Sequence, residues 1–517
     1  MTAPSVRARS ADTIVTALAA DRLGVPAVIY FVLSAAAPLT VVAGVVTTGY
    51  AVTGITGLPI AFIAVGAVLA LFSVGYVAMA RHMVNAGAFY AYISRGLGRP
   101  YGVAGAWVAL VAYNALQVGL YGALGAAASP LLDQWFGVRP AWWVIALVAW
   151  ALVALLGVMR VEVNGIVLAV LLTAEVAVIL LFDATDLGNP AGGHISTAAL
   201  SPNALLVSGA GALLVIGTTG FVGFESSVVF SEESRDPRRT VPAATYLAVA
   251  IIAALYAVSS WAMTVATGPD KIVGVTRRDG PETVFNLAGA HLGSTVVDIA
   301  RVLFVTSLFA AMISFHNTTA RYIFALGRER VLPAVFGRTS VRSGAPKAGS
   351  IAQSALGIVV IVVYAALGLD PLVQLFFYGG TFGGFGVLLL ITTTSVSVIA
   401  FFARRPGGEN VWRRVVAPAL ATVALVVIVY LAVANFATLL GVDKTSPLRW
   451  ALPAAYIVAA AVGLVWAMAL RAGQPDVYAK IGLGADAATG QASPAGAATG
   501  RFGRGGRPSR HARPRVR

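Results

Sequence analysis

The sequence contains no cysteine, so disulfides and thiolate-held metals are excluded and the redox compartment goes unread. Charge is scarce. Asp, Glu, Lys and Arg make up 11% of the chain, against about 25% in an average soluble domain. No Walker-type glycine loop is present, so direct ATP drive has no support. Gly217, Gly220 and Gly223 recur every third residue, but they lack the preceding strand and βαβ context of a dinucleotide fingerprint. No selectivity-filter-like run and no large soluble domain appear, which leaves a channel or a receptor unsupported.

What fills the chain instead is apolar. Of 517 residues 58% are hydrophobic, and the mean hydropathy is +0.84. A membrane span needs roughly 20 apolar residues, and about twelve such runs occur. They are expected at 26–50, 57–80, 101–130, 141–159, 163–182, 207–231, 240–267, 296–326, 350–369, 372–402, 414–438 and 450–471. The fold class is therefore an all-α polytopic membrane protein with 12 transmembrane helices. The first apolar run is too long for a signal h-region of about 7–15 residues and reads as an uncleaved span.

Basic residues fix the expected orientation. If the N-terminus is cytoplasmic, 29 Lys and Arg fall on that side and six on the other: Arg139, Lys271, Arg277, Arg278, Lys444 and Arg449. Without the nine at or beyond Arg471 the ratio is still 20 to six. The positive-inside rule then puts both termini in the cytoplasm, in a cytoplasmic (plasma) membrane. Residues 1–25 form a cytoplasmic N-terminal segment, and 472–517 a disordered basic tail. Beside a membrane bundle that tail suits anionic lipid better than nucleic acid.

The stretch Gly217–Pro242, GTTGFVGFESSVVFSEESRDPRRTVP, carries the strongest functional signal. A carboxylate at membrane depth, here Glu225, normally faces a cavity or a partner. The glycines before it weaken the helix and bare its backbone. Broken helices are tolerated at that depth only when buried in protein or lining a cavity. The first span is interrupted too, with Pro38 and then VVAGVVTTG around Gly44. Corresponding breaks five spans apart point to a midplane binding site in an inverted-repeat transporter. Glycines that merely allow close helix packing are the plainer alternative.

Other polar residues have similarly divided readings. Asn114 and Gln117 lie one turn apart on a helix face, reaching either a substrate or a neighbouring helix. Ser307 could coordinate sodium, although hydroxyls in membrane helices usually back-bond. His316 suits packing or an interface better than a proton relay. Asp298 and Arg301 are spaced for a helical pair near the outer end. Asp183 and Asp186, in a loop beside Gly188 and Pro190, are the best acidic cluster for a membrane-embedded transferase, the rival class. A pair in a turn-rich loop is weak support for an enzyme. AFYAYIS after Asn85-Ala86-Gly87 suits an interfacial helix with Tyr90 and Tyr92 at headgroup level. A second interfacial helix is expected before Pro333.

Three stretches carry a resemblance. GFVGFESSVVFSEESRDPRRTVPAAT resembles the sixth-helix signature of the amino acid–polyamine–organocation (APC) superfamily. NTTARYIFALGRERVLPAVFGR resembles its eighth helix and following loop, and NAGAFYAYISRGLGRP its second-to-third connection. Together they cover roughly residues 26–405 and are specific for the superfamily, not for a substrate. The resemblance implies a leucine-transporter-type 5+5 inverted repeat, with helices 1–5 in 26–182, helices 6–10 in 207–402, and peripheral helices in 414–471. It implies secondary transport of amino acids or related amines, with no cofactor and no catalytic residues, driven by a proton or sodium gradient or running as uncoupled exchange.

Carried over by position, Ala43, Gly44 and Val45 would line the first break, and Thr219, Gly220, Phe221 and Val222 the sixth. Phe221 or Phe224 would be an occluding gate or core packing. Relatives selective for cationic substrates carry an aromatic near the position of Thr219, and its absence argues mildly against an arginine-type substrate. Glu225 matches a recurring family acid, either proton-linked or a structural anchor. Glu175 stands where some proton-coupled members place a lysine. That reversal of sign suits a proton carrier, a cation attractor or a carboxyl paired with another helix.

Overall fold

The computed structural model describes residue 18 and residues 21–484, apart from 160, 208, 341 and 342. The described residues are helical, with no β-strand beyond an isolated bridge between Leu23 and Ser234. In chain order the helices are α1 (Val25–Thr53, interrupted), α2 (Leu58–Ala80), α3 (Ala88–Gly96) and α4 (Arg99–Phe136). Then come α5 (Trp142–Gly157), α6 (Val161–Gly188), α7 (Ala210–Gly220), α8 (Pro237–Thr267), α9 (Ile272–Asp279) and α10 (Glu282–Leu292). The chain continues through α11 (Ser294–Arg328), α12 (Lys347–Ala366), α13 (Pro371–Arg404), α14 (Trp412–Ala434), α15 (Phe436–Leu440), α16 (Leu448–Gly473) and α17 (Pro475–Lys480).

Eleven of the described helical segments are long and apolar enough to cross a membrane, with α7 counted through Val228. The segment expected at 141–159 is apolar but spans 16 residues as α5, so length alone does not give the expected twelve. Large apolar side chains such as Val423, Ile457 and Val465 stand exposed on α14 and α16, as suits a lipid-facing surface.

Helix α1 breaks where its sequence demands. Pro38 has no N–H to donate and disfavours helical geometry at the residue before it. Ala37 accordingly turns left-handed, φ 46°, and its N–H closes on Leu33 O and Ser34 O. Pro38 then opens the second half, where its fixed φ suits a first helical position. That half passes through a π-helical stretch, Val41–Val46. There Thr47 Oγ1 donates to Ala43 O at 2.5 Å and Gly44 O at 3.1 Å. The left-handed residue is Ala37, and the expected lining residues Ala43, Gly44 and Val45 fall in the π-helical stretch that follows.

A second interruption follows α7. Helix α7 ends at Gly220, a tight turn follows, and a 3₁₀ segment runs Phe224–Val228. Gly223 sits at φ 114°, a conformation that side-chain-bearing residues rarely adopt. A Cβ there would lie 2.7 Å from Ala35 Cβ and 3.0 Å from Ala36 N. The two interruptions are thus in contact through a glycine.

Several expectations are corrected. Asp183 and Asp186 lie in the last turns of α6, buried, rather than in a loop. Tyr90 and Tyr92 are fully buried in α3 rather than at an interface. Near Pro333 the chain forms a 3₁₀ turn after the proline, Ala334–Gly337, in place of a helix before it. Of the expected tail, residues 475–480 form α17; residues 1–17 and 485–517 lie outside the described residues.

Candidate functional site

The second half of α1 borders two cavities. One, about 480 Å³, is lined by Thr40, Gly44, Gln134, Glu282, Arg301 and Phe376. By chain direction it opens on the face opposite the start of α1. At its mouth Arg301 bonds Glu282 at 2.9 Å and Asp298 at 3.5 Å, so the expected 298–301 pair has a third member that local spacing could not reveal. The other cavity, about 80 Å³, is walled by Gly44, Val45, Thr219, Phe376, Phe385 and Phe436 among others. Gly44 and Phe376 border both.

Of the seven residues assigned to the breaks, Gly44, Val45 and Thr219 line the small cavity. Gly44 has open space where a Cβ would stand. Ala43 is fully buried away from it. Gly220 faces Phe62 and Val41, and Phe221 packs on Phe62 and Tyr256 with ring centroids 6.3 and 6.4 Å apart. Val222 lines neither cavity. Phe224 is buried edge-on against Phe72 at 6.0 Å. Phe221 and Phe224 are both packed in the core in this structure.

Two buried carboxyls hold the interruptions. Glu225 Oε2 accepts the Gly223 N–H at 2.9 Å, and its Oε1 accepts the Tyr113 hydroxyl at 2.8 Å. It ties the α7 turn to α4. Tyr76 donates to the Glu225 carbonyl at 3.0 Å, completing an anchor from α2. Glu175 does the same for α1. Its Oε1 accepts the Leu39 N–H at 2.5 Å and the Ser307 hydroxyl at 2.6 Å. Leu39 N–H is one of the donors left free at the start of the second half-helix, which the positive dipole end makes a natural carboxylate site. Ser307 Oγ is also 3.0 Å from Thr40 Oγ1 and receives the Thr40 N–H at 3.3 Å. Ser307 therefore joins α11 to α1 and α6 instead of back-bonding to its own helix.

The remaining polar expectations have ordinary partners. Asn114 Nδ2 back-bonds to Leu110 O, and Gln117 Nε2 reaches Tyr121; their side-chain oxygens are buried without donors. His316 Nε2 meets Ser350 Oγ at 2.8 Å, a packing contact between α11 and α12. Asp183 accepts the Ser259 hydroxyl at 2.8 Å.

Sequence reasoning missed the closure on the face where α1 begins. Arg321 forms a two-pronged pair with Glu233 at 2.6 and 3.0 Å, both side chains about 1% exposed. Its guanidinium also lies 4.7 Å from the Phe230 ring centroid. Glu233 O accepts the Arg22 and Leu23 N–H groups at 2.9 Å, which straps the entry to α1 against the segment after α7. Arg328 pairs with Glu232 at 2.7 Å through both nitrogens. The runs SEESRDPRR and ARYIFALGRER carried these charges in plain view. What they lacked was any local sign that they would meet.

The amino acid permease family model matches residues 27–478. An uncharacterized transporter of Mycobacterium tuberculosis is 29% identical over 181 residues, 35% of this chain and 37% of the relative. An uncharacterized amino acid permease of Bacillus subtilis is 28% identical over 163 residues, 32% of this chain and 37% of the relative. Human cationic amino acid transporter 4 is 26% identical over 184 residues, 35% of this chain and 26% of the relative. The chain thus matches little more than a third of the length of the bacterial relatives.

Proposed function

We propose that this chain, which belongs to the amino acid permease family, is a secondary active transporter of amino acids or related amines rather than an enzyme. It works by alternating access across the cytoplasmic membrane with both termini inside. The observation that carries the reading is the contact between two interrupted helices, Ala35–Ala36 against Gly223. Interrupted helices in two halves, facing each other, are what a midplane site in a 5+5 inverted repeat requires. The cavity over Thr40 and Gly44, together with the buried Arg321–Glu233 pair on the opposite face, supports an outward-open arrangement.

The small cavity favours a neutral substrate. Its walls are mostly apolar, and Thr219 already gives its hydroxyl to Val215 O at 3.1 Å. One relative is named for cationic amino acids, but no carboxylate lines this cavity to receive a side-chain cation.

Glu175 is the coupling residue in this reading, and the proton is the favoured ion. Its carboxyl holds the start of the second α1 half-helix and, through Ser307, the middle of α11. A proton on that carboxyl weakens its hold on Leu39 N–H, because a neutral acid is a poorer acceptor than a carboxylate. Loading a proton therefore loosens α1 from α6 and α11, the motion alternating access needs. Glu225 is a positioning residue that keeps the α7 turn open. Purified protein in liposomes, given a panel of labelled amino acids with proton and sodium gradients imposed separately, tests this. Saturable uptake of a neutral amino acid driven by the proton gradient is expected. No saturable uptake or exchange of any amino acid or amine would sink the proposal.

A further inference from the structure

A second built site lies away from the interrupted helices. Where α3, α4, α13 and the segment after α17 meet, a cavity of about 380 Å³ is lined by Arg95, Arg99, Arg404 and Arg405, with Tyr478 and Ile481 as walls. No acidic residue is among its described lining residues. Arg99 and Arg404 are held by neutral main-chain groups: Arg99 Nη2 donates to Ala479 O at 2.9 Å and Arg404 Nη1 to Gly96 O at 2.8 Å. Arg99 also stacks 5.4 Å from the Tyr478 ring centroid. A carbonyl fixes a guanidinium in place without cancelling its charge, and each guanidinium carries five N–H donors. The start of α4, at Gly98–Pro100, faces the same cavity and adds the positive end of a helix dipole. Guanidinium forks match phosphate oxygens two at a time.

The neighbourhood chooses among phosphate-bearing anions. Further along α4 and α13, beginning at Tyr101, the residue after Pro100, runs an apolar groove of about 760 Å³. Ala104, Val108, Leu389, Thr393 and Ile457 are among its walls. Thr393, Phe401 and Arg404 fall on one stripe of α13, so groove and arginine cavity share a helix face. The arginine cavity is on the same face as the start of α1. Gly482 and Gly484 beside it bond Glu329, and Glu329 follows Arg328, which pairs with Glu232 next to the α1 strap.

We propose that this cavity is a binding site for the headgroup of an anionic phospholipid, with an acyl chain lying in the apolar groove. It is independent of whether the chain transports amino acids. The lipid would brace Arg99 and, through its bond to Ala479, the segment that caps Glu329. Basic pockets between membrane helices take anionic headgroups in this way.

The test is native mass spectrometry of the full chain, delipidated in detergent and titrated with phosphatidylglycerol or phosphatidylcholine. Melting is followed in parallel, with inorganic pyrophosphate as a soluble probe. Phosphatidylglycerol is expected to bind at least tenfold more tightly than phosphatidylcholine and to raise the melting temperature. The double variant Arg404→Gln/Arg405→Gln should lose that preference. Arg413→Gln/Arg414→Gln, which changes charge outside the cavity, should keep it. Should the double variant fold poorly, Arg405→Gln alone suffices, since its side chain is exposed; it should weaken phosphatidylglycerol binding several-fold. Equal affinity for the two lipids, equal loss in both double variants, or stabilisation by pyrophosphate without any by phosphatidylglycerol would each overturn the proposal.

Discussion

Adding one methyl group at Gly223 is the sharpest perturbation of the proposed transport site. The added Cβ would stand 2.7 Å from Ala35 Cβ, 2.9 Å from Ala35 C and 3.0 Å from Ala36 N. Two of those atoms are backbone, so no side chain can rotate away. Residues with a Cβ pay roughly 1–2 kcal/mol in left-handed conformations, and φ 114° at this position is no easier. Overpacking a tight contact costs about 1–3 kcal/mol more. The sum, about 2–5 kcal/mol, falls on the contact between the two interruptions. If substrate binding requires that contact, Gly223→Ala should lower affinity by about 30-fold or more, since 1.4 kcal/mol is tenfold. Two neighbours grade the effect. Gly220→Ala meets only Phe62 and Val41 side chains at 3.0 and 3.2 Å and should be milder. Gly44→Ala meets nothing within 4 Å and should be close to silent, whereas Gly44→Leu should fill the cavity and block binding. The assay is equilibrium binding of the best substrate to purified protein, with monodisperse elution as the control for insertion. Wild-type affinity in Gly223→Ala, or Gly44→Ala proving worse than Gly223→Ala, would refute the reasoning.

Glu175→Gln keeps the shape but cannot exchange a proton, so uptake should lose its dependence on a pH gradient while counterflow exchange survives; a pH-driven accumulation equal to wild type would remove the coupling role. Glu225→Gln should retain that pH dependence and instead weaken binding, because one of its two acceptor oxygens becomes a donor facing Tyr113 or the Gly223 N–H. Arg321→Ala leaves Glu233 buried without its cation and should destabilise the protein by about 3–5 kcal/mol, read as a fall in melting temperature. Glu329→Gln replaces a carboxylate that accepts the Gly482 and Gly484 N–H groups at 2.6 and 2.7 Å. Hydrogen exchange at those two amides should then quicken, with the core unchanged.

The polytopic fold was legible because membrane helices obey one simple constraint, a long apolar run, and the chain supplies those runs with little else between them. Boundaries came within a few residues for most spans, as with Leu58–Ala80 and Trp412–Ala434. The α7 interruption was legible for a local reason: three spaced glycines and a carboxylate announce a bared backbone. In α1 the sequence flagged both Pro38 and Gly44, and the break-lining residues Ala43, Gly44 and Val45 came by position from the family resemblance. Gly44 marks a π-helical stretch and an open cavity wall, but Pro38 dictates the break, and it does so at the alanine before it. For Phe221 and Phe224 the sequence left gate and core packing open, because a tight turn rotates consecutive side chains to different sides and no periodicity survives it to say which.

Glu175 and Glu225 explain why partners stayed hidden when the residues did not. Both were conspicuous as acids at membrane depth, where desolvation forces each to find donors. The donors they found are backbone N–H groups freed by the two interruptions, Leu39 and Gly223, plus one hydroxyl each, Ser307 and Tyr113. A freed N–H has no sequence signature, since every residue but proline carries one. The pairing becomes readable only once the interruption is located, and then it is nearly forced. A helix start left bare in a low-dielectric interior needs an acceptor, and the nearby carboxyls fill that need. The two carboxyls differ in where they reach next. Glu225 ties its turn to α4 and is backed by Tyr76, a closed set of neighbours. Glu175 reaches through Ser307 to Thr40, which lines the larger of the two cavities. In the proposed mechanism that difference in surroundings assigns the proton to Glu175 and a positioning role to Glu225.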